Sequence, residues 1–154
     1  MPTIETQIHI SASTFDVFRF CHDAQQRPLW DERVVSVEML TDPPVRRGTL
    51  MRFDSSDKMH PHSWDAEYQD FQYPSGSKLT VIDTSLSSPF RTGSETWDFV
   101  SEQGGTLVKM MWTYTPRHAV DALLDSLWKK GRMRRVMQRS LANLKSLIES
   151  GQAK

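Results

Sequence analysis

The sequence has little of what marks several large classes of protein. Cys21 is the single cysteine, so no internal disulfide can form. No apolar run approaches the roughly 20 residues that a membrane-spanning helix needs, and the first residues lack a signal-peptide pattern. Basic and acidic residues number 19 each, which leaves no net field to attract nucleic acid. These absences predict a soluble, cytoplasmic protein with no integral membrane segment and no nucleic-acid partner.

Motifs for common cofactors are also missing. There is no G-x-S-x-G sequence, no phosphate-binding glycine loop and no dinucleotide fingerprint. His60 and His62 flank a proline, with Asp57 just before them, but this spacing does not match the zinc motifs. We therefore expect no cofactor and no metal, and we place these histidines on a loop at the sheet edge, near the entrance of any cavity.

Alternating apolar and polar residues predict seven strands, with short turn sequences between most of them. The predicted strands are residues 3–10, 34–40, 50–54, 63–71, 78–86, 91–100 and 107–114. After the first strand, Ser11 or Ser13 is expected to cap a short helix that carries Phe15 to Cys21. A second helical turn is predicted over Ala24–Arg27, before Pro28 redirects the chain.

The last apolar-periodic segment predicts one long helix from Pro116 to Glu149. At about 1.5 Å per residue, it would span on the order of 50 Å. Its apolar face comprises Leu123, Leu127, Met133, Met137, Leu141, Leu144 and Ile148. Gly131 in the helix interior predicts a bend there, with a pocket mouth towards the first half and ordinary core along the second.

So long a helix needs a large partner. The predicted fold is therefore a single α+β domain over residues 1–154, in which a curved seven-stranded antiparallel sheet wraps around one long C-terminal helix. Two short helices follow the first strand.

The order of elements and several local sequences resemble the START-like superfamily, also called SRPBCC or helix-grip, and especially its polyketide cyclase/dehydrase branch. The resemblance rests on Ile8 to Ala12, Val17 to Phe20, Asp23, Trp30 and Gly48, and on the closing stretch from Tyr114-Thr115-Pro116 to Lys145. It implies a hydrophobic cavity between sheet and helix that takes lipids, polyketides, isoprenoids or aromatic compounds. It supplies no shared catalytic triad.

Aromatic and methionine side chains on the predicted inner faces are the candidate ligand contacts, because large rings and flexible thioethers suit an apolar pocket. They are Trp30, Phe53, Trp64, Trp97, Phe99, Met110, Trp112, Met133 and Met137. The alternative is an ordinary filled core that uses Trp and Met as bulk.

Four polar residues on the same faces could orient a ligand: Tyr68, Tyr114, Glu95 and Arg134. Arg134 lies close to the apolar stripe of the predicted helix, where it could bind a ligand carboxylate or phosphate; the alternative is that it extends to the helix flank. The basic residues from Lys129 to Arg139 are interpreted as a solvated helix face. Cys21, among phenylalanines, is expected to be a buried structural thiol.

Three functions follow as hypotheses. The first is binding of a small hydrophobic or aromatic ligand. The second is a cyclase/dehydrase-type enzyme that uses the same cavity, with the four polar residues as acid, base or polarising groups. The third is a protein-interaction module with a filled core, resembling the branch that activates a heat-shock ATPase. A homodimer is left open.

Overall fold

The computed structural model of the protein describes residues 2–124 and 128–151, with the side chains of residues 121 and 122 outside this description. The strands are β1 (Thr3–Ile10), β2 (Val34–Met39), β3 (Leu50–Ser55), β4 (Ser63–Gln72), β5 (Gly76–Thr84), β6 (Phe90–Glu102) and β7 (Gly105–Pro116). The helices are α1 (Thr14–Cys21), α2 (Arg27–Trp30), α3 (Ala119–Leu124) and α4 (Lys130–Glu149).

The seven strands form one antiparallel sheet in the order β1-β7-β6-β5-β4-β3-β2. Successive strands from β2 to β7 pair as hairpins, and β1 returns to pair with β7 at the edge. The predicted α+β fold with a curled sheet, two short helices after the first strand and a C-terminal helix is confirmed. Side chains along each strand alternate between the two faces of the sheet, and this alternation lets one face cover a core. In β6, for example, Trp97 and Phe99 are buried while Asp98 and Val100 are exposed.

The two short helices begin with residues that are typical of helix N-termini. Ser13 caps α1, because its Oγ accepts a hydrogen bond from the Asp16 N–H at 3.2 Å. The second helix lies later than predicted, since α2 covers Arg27–Trp30 and not Ala24–Arg27. Pro28 stands in its first turn, where the missing N–H of proline costs no helical hydrogen bond.

The predicted single helix over Pro116–Glu149 is wrong in its first part. Thr115 and Pro116 look like a helix start, but they extend β7, and Pro116 pairs with Phe90 at the beginning of β6. A short α3 follows, in which Leu123 is 66% exposed and does not join the core. Leu127 lies outside the described residues. Strand pairing with β6 outweighs the local helix signal.

The second half of the predicted helix is confirmed. In α4 the buried side chains are Met137, Ser140, Leu141, Leu144 and Ile148. Gly151 follows with φ of +78°, and its N–H donates to the Ile148 carbonyl at 3.2 Å. Gly131 falls in the first turn of α4. Residues 125–127, between α3 and α4, lie outside the described residues, so the bend expected near Gly131 stays a prediction.

Hydrogen bonds fasten α4 to β1 and to the segment around α2. Asn143 donates to the Trp30 carbonyl at 3.3 Å, and the Ser140 hydroxyl accepts from the Glu32 N–H at 2.9 Å. Near the end of α4, Lys145 donates to the His9 carbonyl at 2.8 Å. The second half of α4 is thus fixed against β1 and α2, and the main hydrophobic core lies beneath it.

Candidate functional site

Four ionised side chains meet inside the protein, and we call them the ion cluster: Arg27, Asp31, Arg33 and Glu95. Arg27 donates to Asp31 at 2.8 Å and to Glu95 at 2.6 Å. Arg33 donates to the same two carboxylates, at 2.8 Å and 3.2 Å. Arg27, Asp31 and Glu95 are 4%, 1% and 5% exposed. The two positive and two negative charges balance, so no buried ion is left unpaired. An unpaired buried ion would cost several kcal/mol.

Aromatic rings surround the Arg27 guanidinium. It lies 5.0 Å from the ring centre of Trp30, 5.5 Å from Phe53 and 5.8 Å from Trp97. Trp97 also donates its indole N–H to Glu95, whose two oxygens are then both engaged by donors. A planar guanidinium suits such a position because it stacks on rings while its edge forms ion pairs.

Burial by itself would raise the pKa of both cluster carboxyls. The Coulombic attraction of Arg33 and Arg27 overrides that effect and holds the pKa of Asp31 well below its usual range. Burial also acts to raise the pKa of Glu95, but the attraction of Arg27 and then Arg33 outweighs it, so this pKa is lowered too. Both carboxylates are therefore ionised at neutral pH. A fully paired, ionised Glu95 does not carry the proton that a general acid needs.

His22 lies beside the cluster and is neutral. Burial lowers its pKa to about 4. Its Nδ1 is 2.8 Å from the Phe18 carbonyl, which can only accept, so Nδ1 carries the proton. The other nitrogen, Nε2, then accepts from the Ser77 hydroxyl at 2.7 Å. Both ring nitrogens are satisfied within the protein.

A narrow hollow reaches the cluster from beneath the connection between α1 and α2. Cys21, His22, Arg27, Met51 and Tyr68 are among its walls, and it has no room for a water molecule. Burial raises the pKa of Cys21, as predicted for a structural thiol, and that of Tyr68. Neither group ionises near neutral pH, so this hollow offers no activated nucleophile.

A second group of rings, which we call the aromatic wall, lies on the inner sheet face where β6 begins and β7 ends. It consists of Phe53, His62, Trp64, Phe90, Trp112 and Tyr114. Each ring contacts the next: Phe53 stacks on Trp64 at 5.4 Å, and Trp64 meets Phe90 edge-on at 5.5 Å. The series then continues to Trp112 and Tyr114.

A glycine on the neighbouring strand leaves space for one ring of the aromatic wall. The Trp112 ring lies against the Gly93 backbone on the neighbouring strand, where any Cβ would overlap the ring. Glycine is thus required at position 93 by close approach. At the other side of the wall, His62 stacks on Trp64 at 5.7 Å from the end of the β3–β4 connection. His62 therefore belongs to the loop where the sequence places it.

The aromatic wall is less enclosed than the ion cluster. Trp64 is half-buried, whereas Trp30 and Trp97 are each 1% exposed. Phe90, Trp112 and Tyr114 retain 8%, 7% and 8% exposure. The half-buried Met133 of α4 packs against the same core. Phe90, Trp112 and Tyr114 of the wall belong to that core.

The structure places most of the predicted site residues in or beside these two regions. Trp30, Glu95 and Trp97 surround or form the ion cluster, Phe99 stacks on Trp97, and Phe53 contacts both the cluster and the wall. Trp64, Trp112 and Tyr114 belong to the aromatic wall. Met110 and Met137 are fully buried in the core, Tyr68 lines the narrow hollow, and Arg134 is exposed on α4 and lines no interior surface.

Sequence reasoning missed Arg27, Asp31 and Arg33. A helical i, i+4 spacing of Arg27 and Asp31 was available as a signal. Glu95 stands 68 residues from Arg27 in the chain, so only the fold reveals their contact. Phe90 was missed because it lies at the first position of its strand, next to a turn.

An open groove of about 280 Å³ also runs past Arg52, Trp64, Asp65 and Asp83. No group of three or more potential metal-binding side chains lies together within residues 2–124 and 128–151. None of the helices described is long and apolar enough to span a membrane.

With this geometry in place, comparison with known proteins decides the family. A family model described as polyketide cyclase / dehydrase and lipid transport matches residues 1–149. The chain belongs to this family. No curated protein sequence matches the chain.

Solved structures share the fold of this family member at low identity. TTHA0849 from Thermus thermophilus has a TM-score of 0.81 at 18% identity, covering 97% of this chain and 99% of that one. Ginseng major latex-like protein 151 from Panax ginseng has a TM-score of 0.71 at 11% identity, covering 94% and 95%. For Ara h 8.0201 the TM-score is 0.67 at 12% identity, covering 97% and 98%. These likenesses concern the fold alone.

Proposed function

We propose that the protein binds a small hydrophobic or aromatic molecule, lipid-, polyketide- or isoprenoid-like, against the aromatic wall. The molecule would lie between the inner sheet face and the C-terminal helix. The observation that carries this proposal is the continuous row of ring contacts from Phe53 to Tyr114, combined with the half-exposed edge at Trp64. Flat apolar faces with a polar rim are typical of such pockets.

The aromatic wall also includes a side chain that can form hydrogen bonds. The His62 ring stacks on Trp64 beside the row of rings, where it can form a hydrogen bond to a polar group of a ligand. Trp64, Phe90 and Trp112 present apolar ring surface. This arrangement favours a ligand with an apolar body and a polar group.

Ligand binding requires movement of the other side of the pocket. The hollow at the ion cluster has no room for water, and drug-sized ligands need roughly 300 Å³ or more. Because α4 is fastened through Ser140, Asn143 and Lys145, its second half is the fixed part. Any rearrangement that admits a ligand must therefore leave this half of α4 in place.

Titration with an apolar fluorescent dye tests the proposal, with Trp64→Leu as the wall variant and Tyr73→Leu as the matched control. Tyr73 is another partly exposed aromatic residue, but it contacts α1 and not the wall. A tryptophan ring buries about 200 Å² against a partner, so its loss should weaken dye binding about tenfold or more. Equal affinities of the two variants, or no binding by the wild type to a broad panel, would contradict the proposal.

One observation favours the filled-core interaction module as a second candidate. Around the ion cluster the described interior is packed, and its polar groups are paired with one another. If no dye or apolar metabolite binds, this second candidate replaces the first. The cyclase/dehydrase alternative would use Glu95 as an acid or base, and Glu95 is instead paired within the ion cluster.

A further inference from the structure

Two histidine rings of the protein are held in the same way, by a hydrogen bond from Nδ1 to a backbone carbonyl. His22 Nδ1 lies 2.8 Å from the Phe18 carbonyl, and His62 Nδ1 lies 2.8 Å from the His60 carbonyl. A carbonyl oxygen can only accept, so Nδ1 carries the proton in both rings. In a neutral imidazole the other nitrogen, Nε2, is then a hydrogen-bond acceptor.

The two rings differ in what Nε2 meets. At His22 it accepts from the Ser77 hydroxyl at 2.7 Å, inside the protein. At His62, within the part of the chain that the structure describes, Nε2 has no hydrogen-bond partner. His62 is half-buried, whereas His22 is 6% exposed. His62 thus presents an open acceptor of the kind that His22 satisfies with a hydroxyl group.

Backbone hydrogen bonds hold His62 in place. The Asp57 carboxylate accepts from the His60 N–H at 3.1 Å, which fixes the residue whose carbonyl holds the His62 ring. The His62 carbonyl in turn accepts from the Ser55 N–H, at the end of β3, at 2.9 Å. The orientation of the ring is therefore set before a ligand arrives, which reduces the entropy cost of binding.

The His62 ring is also part of the aromatic wall. It stacks on Trp64 with 5.7 Å between ring centres, and it meets Phe90 edge-on at 6.1 Å. Nε2 is therefore a polar acceptor at the apolar surface against which the ligand is proposed to lie. A ligand group that only accepts, such as an ether, ketone or carboxylate oxygen, offers Nε2 no hydrogen, whereas a hydroxyl group does.

We propose that Nε2 of His62 accepts a hydrogen bond from a hydroxyl group of the ligand, so that the aromatic wall selects hydroxylated aromatic molecules such as phenols. The ligand hydroxyl would take the place at His62 that the Ser77 hydroxyl takes at His22. Flat rings suit this ligand class because they can stack on the rings of the wall. The proposal rests on the proposed ligand function and adds the chemical class of the ligand.

Equilibrium dialysis with two probes tests this proposal: β-naphthol, and its methyl ether, which has the same rings but an oxygen that can only accept. Both are measured with the wild type and with His62→Phe at about pH 8, where free imidazole is neutral. Phenylalanine keeps a ring at this position but lacks Nε2. The naphthol preference is the dissociation constant of the ether divided by that of β-naphthol. It should fall about 2- to 12-fold in His62→Phe, the effect of one hydrogen bond.

His60→Phe is the matched control, because it makes the same change at an exposed ring two residues earlier and keeps the carbonyl that holds His62. Its naphthol preference should equal that of the wild type. General damage to the loop would weaken both probes alike and cancel in this ratio. An unchanged preference in His62→Phe, or an equal fall in His60→Phe, would overturn the proposal.

Nitrogen NMR of the histidine rings gives an independent readout. The signals of His62, assigned by their loss in His62→Phe, should show a protonated Nδ1 and an unprotonated Nε2. The Nε2 signal should move upfield with β-naphthol and not with the ether, and a proton on Nε2 of the free protein would overturn the proposal. If both probes bind without a change at Nε2, the hydroxyl proposal fails while the ligand function stands. If neither probe binds, the hydroxyl proposal fails, and the dye titration shows whether the ligand function fails with it.

Discussion

The ion cluster and the aromatic wall face the same interior but meet opposite physical requirements. In the ion cluster, every carboxylate oxygen has a donor and three of the four side chains are at most 5% exposed. In the aromatic wall, the contacts are between rings, and Trp64 is half-buried. Ion pairs need fixed geometry, whereas ring contacts are weakly directional and allow neighbours to shift. We therefore expect the ion cluster to be rigid and the aromatic wall to be adaptable.

The surrounding elements support the same division. The ion cluster joins α2, the start of β2 and the middle of β6, and α2 is hydrogen-bonded to the second half of α4 through Asn143. The rings of the aromatic wall lie instead on β3, β4, β6 and β7 and at the end of the β3–β4 connection. A ligand that binds at the aromatic wall should therefore leave the ion pairs of the cluster in place.

Replacing Glu95 by glutamine should have the largest effect on this comparison. The substitution leaves two buried arginines with one carboxylate, and an unpaired buried charge costs about 3–5 kcal/mol. The free energy of unfolding, measured by urea denaturation, should fall by that amount. Combining Glu95→Gln with Arg33→Gln removes the excess charge and should recover part of the loss.

The matched control for that prediction is Arg52→Gln, which breaks an ion pair with Asp65 on a half-exposed part of the sheet. Its effect should be much smaller, because solvent screens exposed pairs. If Glu95→Gln and Arg52→Gln had similar effects on the free energy of unfolding, the ion cluster would not be the more rigid of the two regions.

The next largest effect should come from acid, through His22. In the unfolded chain its pKa returns to about 6.5, while burial lowers it to about 4 in the folded protein. Between these values the unfolded state binds more protons, so stability falls as the pH is lowered from 6.5 to 4. The loss over this range is on the order of 3 kcal/mol.

His22→Gln should remove most of that slope, as measured by urea denaturation at several pH values. His60→Gln is the control, because His60 is exposed on the β3–β4 connection. Below pH 4 a further loss is expected, because the carboxyls of Asp31 and Glu95 bind protons in the unfolded chain while their lowered pKa values keep them ionised in the folded protein. An unchanged slope in His22→Gln would show that His22 is not the group responsible.

The sequence predicts the two regions unequally, for a physical reason. Alternation along β4, β6 and β7 correctly places Trp64, Trp97 and Trp112 on the inner face, because strand periodicity is a local property. The ion cluster depends on a pairing between residues 62 and 68 positions apart, and no local pattern encodes it. The sequence pattern therefore presents Glu95 as a ligand contact, although the fold makes it a partner of two arginines.

Local sequence patterns do not encode long-range pairing, and this also explains why the start of the C-terminal helix was predicted wrongly. Thr115 and Pro116 have the composition of a helix start, and Leu123 fits the apolar face of the helix that would follow. Pairing between β6 and β7 continues to Pro116 and carries the chain past that start. The contributions of a cap and a first-turn proline are about 1 kcal/mol, which a few strand hydrogen bonds and buried rings exceed.

Gly93→Ala should give the smallest of these effects on stability but a clear one on ligand binding. The new Cβ would overlap the Trp112 ring, so the ring must move away from the sheet. Such overpacking costs about 1–3 kcal/mol in the free energy of unfolding. Because Trp112 contacts Phe90 and Tyr114, its displacement should also reshape the aromatic wall and weaken dye binding several-fold.

Gly131→Ala is the matched control for Gly93→Ala, since a Cβ at position 131 meets no atom within 4 Å. That change should leave dye affinity intact and raise stability by up to about 1 kcal/mol, because alanine favours the helix. The informative result is the ratio of the two dye affinities. If Gly93→Ala lowered the free energy of unfolding but bound dye as the wild type does, the ligand would not lie against Trp112, and the aromatic wall would be part of the core.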